Sequence, residues 1–162
     1  KSLERAGLIT RKVFSNATVE AAFADTVAAG LDAAMAATGT TIKAGDAVLI
    51  RTGWLENQTG KPARMVDFNE EPGIDVAAAL WLAEAGVALV GADNYAIEAM
   101  PFPAGTTFPV HQRLIRDFGI PLLEGMALQH FAGLGVPQFL FVAAPLPIVG
   151  GTGSPITPLA IY

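Results

Sequence analysis

The feature that most narrows the fold is a capped helix set between two short apolar runs. Ala47-Val48-Leu49-Ile50-Arg51-Thr52 leaves the turn Lys43-Ala44-Gly45-Asp46 and ends at Gly53-Trp54, with the length and β-branched content of a buried strand. Pro72-Gly73-Ile74-Asp75 then supplies the start signal for a helix over 76–85. Gly86 stops that helix, and 87–90 resumes as an apolar strand. A helix that delivers the chain directly into a buried strand is one step of an α/β layer, so a sheet with flanking helices is expected. Gly91-Ala92-Asp93-Asn94-Tyr95 places polar groups at the carboxyl end of the second strand, the side on which open α/β sheets bind ligands.

The same signals predict a helix over 17–37, capped by Asn16 or Thr18, stopped by Gly39 and weakened at Gly30. Further strands are expected over 120–124, 139–144 and 158–162. Residues 55–71 mix polar side chains, glycine and proline without a period, which predicts a long surface loop of the kind that borders binding sites. Gly150-Gly151-Thr152-Gly153-Ser154 lacks the lysine of a phosphate-binding loop and runs into Pro155, so it is expected to be a structural turn. Ser154 has no G-x-S-x-G context either. Trp81, mid-helix among alanines, belongs in the core, whereas Trp54 at a strand end is a candidate pocket wall.

Composition restricts the partners. Charged residues are 15% and hydrophobic residues 52% of the 162, against a soluble norm of roughly 25% charged. No stretch is a membrane span: 19–37 carries Glu20, Asp25 and Asp32, and 139–149 is broken by Pro145 and Pro147. The apolar excess is therefore expected to pack against an identical subunit or against polypeptide outside this sequence. A net charge of -5 gives no basic stripe for nucleic acid, which leaves a small-molecule substrate as the expected partner. There are no cysteines, so disulfides, thiolate metal sites and cysteine nucleophiles are excluded. Residues 1–13 lack a signal-peptide pattern, which makes a cytoplasmic location the expectation.

His111 and Glu124 are the candidate metal ligands. Pro109 can begin a helix and Gly119 end it, and on that helix His111, Leu114, Ile115 and Phe118 fall at i, i+3, i+4 and i+7. The imidazole is thus expected on an inward apolar stripe. Glu124 is the last side chain of the following apolar strand, where an unpaired charge is costly. Singly, each has an ordinary explanation: a hydrogen-bonded core histidine, and a glutamate paired with Arg113 or Arg116. On consecutive elements that close onto one face, an imidazole and a carboxylate are donors that zinc or manganese accepts. Two ligands fall short of the usual three. Either His130 completes the set, making a small self-sufficient enzyme, or the other ligands lie outside this sequence, which is preferred.

Five segments taken together, Gly45 through Trp54, Pro72-Gly73-Ile74, Gly91-Ala92-Asp93-Asn94, the stretch from His111 to Leu123-Glu124-Gly125, and Phe141-Val142-Ala143-Ala144-Pro145-Leu146-Pro147 with Gly151-Thr152-Gly153-Ser154-Pro155, carry a resemblance. They resemble the cyclase family of metal-dependent hydrolases, which includes bacterial kynurenine formamidase and isatin hydrolase. The resemblance implies a swivelling β/α fold with a mixed sheet, a divalent zinc or manganese ion, and hydrolysis of a cyclic amide, formamide or lactone. It implies that His111 and Glu124 are ligands and offers Trp54, Asn94 and Tyr95 as pocket residues by position. The family's amino-terminal motif, His-x-Gly-Thr-His-x-Asp-x-Pro-x-His, is absent here, and residues 1–13 resemble family sequence that follows it. The chain is therefore expected to be the carboxyl-terminal part of one domain, inactive without the amino-terminal segment, and no residue in it inherits the family's proton-transferring histidine. The alternative is a non-catalytic subunit or degenerate paralogue that keeps the fold for assembly.

Overall fold

The computed structural model describes residues 9–11, 14–15, 27–61, 66–131, 134, 136 and 138–162. Two short strands, β1 (Ile9–Arg11) and β2 (Phe14–Ser15), precede helix α1 (Val27–Thr38). The helix expected over 17–37 is thus observed from Val27, and its first half lies outside the described residues. There follow β3 (Ala47–Ile50), the short helix α2 (Trp54–Gln58), α3 (Val76–Glu84) and β4 (Leu89–Ala92). After a long connection come α4 (Pro109–His111), β5 (Leu122–Leu123), a 3₁₀ turn (Leu128–Phe131), β6 (Leu140–Val142) and β7 (Leu159–Ile161).

The α/β class read from the sequence is the class observed, with the two strand directions divided between two sheets. Strands β2-β3-β4-β5 form a parallel sheet in that order, and β1-β6-β7 an antiparallel one. All four residues of β3 are buried. Since successive side chains of a strand point to opposite faces, such a strand must be covered on both. On one face Val48, Ile50, Val90 and Ala92 meet Ala78, Ala79 and Leu82 of α3, Leu31 of α1, and Val110 and Leu114. On the other, Ala47, Leu49, Leu89 and Leu123 meet Phe139, Phe141 and Ala160 of the antiparallel sheet. A leucine buried as fully as Leu82 contributes about 1.5–3 kcal/mol. Among the described residues, no helix is long and apolar enough to cross a membrane.

Local chemistry explains the helix boundaries. The Asp75 carboxylate accepts the Ala78 N–H at 2.8 Å, an N-cap, and Gly86, at φ 75, turns the chain out of α3. Pro109 opens α4, but beyond His111 the winding widens to a π-helix over Gln112–Asp117, with Phe118 N–H donating to Arg113 O. That winding overturns the expected four-residue stripe. The buried face runs instead through Val110 and Leu114, four positions apart, close to one turn of the wider helix. Val110 and Leu114 are buried, whereas Ile115 and Phe118 are each 48% exposed.

Candidate metal centre

In register, Ile50 of β3 lies opposite Ala92 of β4, and Gly91 opposite Leu123 of β5. The residues that follow, Thr52-Gly53, Asp93-Asn94 and Glu124, therefore leave neighbouring parallel strands at the same edge. This is the ligand side of an α/β sheet. Buried carboxylates tie the edge together. Asp93 accepts the Thr52 N–H and hydroxyl, each at 2.7 Å, and the Gly53 N–H at 2.8 Å. Glu71 accepts the Ala96 and Tyr95 N–H groups at 2.6 and 2.9 Å and the Asn94 amide at 3.3 Å. Burial pushes the Glu71 carboxyl above its ordinary value, while the two backbone donors pull it back. The sequence put Glu71 at the end of a surface loop; it is buried, because the backbone around Tyr95 needs its acceptors.

His111 and Glu124 do come together. The imidazole Nε2 lies 3.1 Å from Glu124 Oε1, and Nδ1 lies 2.7 Å from Glu98 Oε1. His111 is partly buried, its side chain 24% exposed; Glu124 is 43% exposed, so the carboxylate expected in the core stands instead at the rim. The last position of β5 is Leu123, and Glu124 follows it at the open edge. Neither arginine takes Glu124, as both pair with Asp117. Burial alone would lower the His111 pKa, but hydrogen bonds to Glu124 and Glu98 override it and raise the value from 6.5 to about 9. The two carboxylates thus favour the charged form of the ring.

The donor chemistry fits a divalent metal. Ligand atoms about 2.0–2.2 Å from one ion can lie up to about 4.4 Å apart, so a 3.1 Å pair is compatible with a shared ion. Glu98 occupies Nδ1, leaving Nε2 as the ligand nitrogen. Among the described residues, no group of three His, Cys, Asp or Glu side chains is placed to hold an ion. His130 is exposed and is not grouped with His111 and Glu124 among the described residues.

Of the candidate pocket residues, Trp54 is buried, Asn94 is fully buried and Tyr95 is exposed. Phe68 joins the outer two, with ring centroids 5.9 Å from Trp54 and 4.9 Å from Tyr95. The Asn94 side-chain amide donates inward to Pro72 O at 2.7 Å, and the Asn94 backbone carbonyl accepts the Gly125 N–H at 2.9 Å. Trp54 Nε1 and Asn94 Oδ1 are buried without a hydrogen-bond partner among the described residues. A cavity of about 380 Å³ opens between the two sheets, bounded by Glu124, Leu123, Leu49, Phe131, Phe139 and Phe141. Sequence reasoning missed Glu98, Phe68 and the cavity walls. An acidic residue inside the apolar run Ala96-Ile97-Glu98-Ala99-Met100 was the available signal for the first.

A parallel sheet with helices on one face and an antiparallel sheet on the other defines an α/β protein whose carboxyl edge brings a histidine and a carboxylate together. The Cyclase family model matches residues 3–99, and the chain belongs to that family. Among solved structures it is similar to a novel cyclase, at 29% identity and a TM-score of 0.82 over 99% of this chain and 56% of the other. It is also similar to isatin hydrolase A from Ralstonia solanacearum, at 26% identity and TM-score 0.75 over 97% and 62% of the two chains. An isatin hydrolase bound to the product analogue thioisatinate matches at 30% identity and TM-score 0.71 over 96% and 60%. The chain thus spans between half and two thirds of the length of these relatives. No curated protein matches.

Proposed function

We propose that this chain carries part of the metal centre of a hydrolase acting on a small cyclic amide, formamide or lactone. The observation that carries the reading is the 3.1 Å approach of His111 Nε2 to Glu124 Oε1 at the carboxyl edge of the sheet. Similarity to isatin hydrolases supports the substrate class, and a cavity of about 380 Å³ beside Glu124 falls within the size range of small-molecule sites. A bound zinc or manganese ion would supply Lewis acidity toward a carbonyl and toward water. The chain's own residues do the rest. His111 and Glu124 hold the ion, and Phe139, Phe141 and Leu123 exclude water around the apolar body of the substrate. Trp54, Phe68 and Tyr95 wall the adjoining edge, and Asn94 holds the turn beneath it.

The remaining ligands and the proton-transferring group are assigned to an amino-terminal segment, and the exposed apolar residues of the antiparallel sheet to that segment or to an identical subunit. The test is metal analysis and turnover of the full-length protein on isatin-type lactams, aryl formamides and lactones. Stoichiometric zinc or manganese, with activity lost in His111→Ala, is expected. Full-length protein without metal, or with unchanged hydrolysis in the variant, refutes the reading. It would leave the alternative of a non-catalytic subunit or degenerate paralogue that keeps the fold for assembly.

A further inference from the structure

Glu98 is 1% exposed, yet among the described residues nothing cationic other than the His111 ring faces it. One carboxylate oxygen accepts the Val110 N–H at 3.0 Å; the other accepts the His111 N–H at 3.3 Å and meets the ring Nδ1 at 2.7 Å. Backbone and side chain of the same histidine are thus gripped by one rigid acceptor. The chain bends sharply to put it there. Ile97, immediately before Glu98, has φ 61, a left-handed conformation that a β-branched residue rarely adopts. Phe108, ahead of α4, has φ 45. Pro72-Gly73-Ile74 lies so close that a Cβ on Gly73 would strike the backbone of Ile97 and Glu98. Strained residues on both sides of a buried carboxylate mark a geometry imposed by the surrounding structure.

We propose that Glu98 is the positioning residue for His111, its buried carboxylate taking the Nδ1 side of the ring so that Nε2 is held toward Glu124. The proposal rests on the metal reading above. A carboxylate behind a ligand histidine fixes the ring orientation and raises its basicity. Glu124, at the rim, has no comparable anchor among the described residues and is free to adjust to the ion, whereas His111 is set before the ion arrives.

The experiment measures Zn²⁺ and Mn²⁺ affinity, by competition with a chelator, in full-length wild-type protein, Glu98→Gln, Glu98→Asp, His111→Ala and the Glu98→Gln/His111→Ala double variant. The Glu98 variants are expected to bind about 10–100-fold more weakly, and in the His111→Ala background the Glu98 change should add nothing. Wild-type affinity in the Glu98 variants overturns the proposal, as does an undiminished loss in the His111→Ala background, which would mark Glu98 as a backbone anchor only. Wild-type protein that binds no metal overturns the underlying metal reading instead. Nitrogen-15 spectra of the zinc-loaded wild type keep the question open to refutation even where both Glu98 variants fail to fold. Ligation through Nε2 with Nδ1 protonated is expected, and ligation through Nδ1 overturns the proposal.

Discussion

Replacing Asp93 with asparagine keeps the shape of the side chain and removes its charge, and the structure fixes what that must cost. One carboxylate oxygen serves the Thr52 N–H and hydroxyl, and the other the Gly53 N–H, all at 2.7–2.8 Å. An asparagine has one acceptor oxygen. Whichever way the amide turns, its NH₂ faces a backbone N–H that has lost its partner. Hydrogen bonds to charged groups contribute about 1.5–3 kcal/mol each, and a buried orphan donor costs about 1–3 kcal/mol. Asp93→Asn is therefore expected to destabilise by about 2–4 kcal/mol and Asp93→Ala by about 3–5 kcal/mol, against a total of about 5–15 kcal/mol for a typical domain. Urea unfolding followed by circular dichroism reads this as a lowered midpoint with unchanged slope. Thr52→Val removes the hydroxyl, which donates to Asp93 and accepts the Trp54 N–H at 3.1 Å, and should cost about 1–3 kcal/mol. A midpoint for Asp93→Asn within about 0.5 kcal/mol of wild type would refute the claim that this carboxylate joins the ends of β3 and β4.

Gly73→Ala should destabilise by at least about 1–3 kcal/mol, the usual cost of overpacking, because its Cβ would meet backbone rather than a movable side chain; thermal melts check this. In the metal-free protein the His111 pKa is raised from 6.5 to about 9, so its stabilising contribution is complete below pH 6.5 and is lost as pH rises through 9. Urea midpoints of wild type minus His111→Gln should accordingly shrink between pH 6 and 10, and a difference that grows over that range would contradict the assignment. Free Zn²⁺ at 100 times its dissociation constant should stabilise the full-length protein by about 2.7 kcal/mol, reversibly with chelator. Stability indifferent to zinc would count against the centre.

How far the fold could be read in advance depended on whether a signal was local. Helix α3 was legible from Asp75 and Gly86, and β3 from its apolar run, because a cap, a stop and a strand composition are each written within a few residues. The helix after Pro109 was legible only at its start. Its π winding depends on how Val110 and Leu114 seat against the core, and a pattern search at 3.6 residues per turn has no means of registering it. The site divides in the same way. His111 and Glu124 stood out as polar residues in apolar company. Glu98 carried that signal too, but what it and Glu71 do depends on N–H groups delivered by Val110, His111, Tyr95 and Ala96, which only the folded backbone brings within reach.

The segment Asp93 to Glu98 draws its restraints from Thr52 and Gly53, from Glu71 and Pro72, from Val110 and His111, and from Gly125. It is a hub onto which four separate reaches of the polypeptide are spliced. Lesions scattered far apart along the gene should consequently converge on a single phenotype, a loosened histidine, and pairs of such lesions should behave as repeated injuries to one part rather than as independent ones.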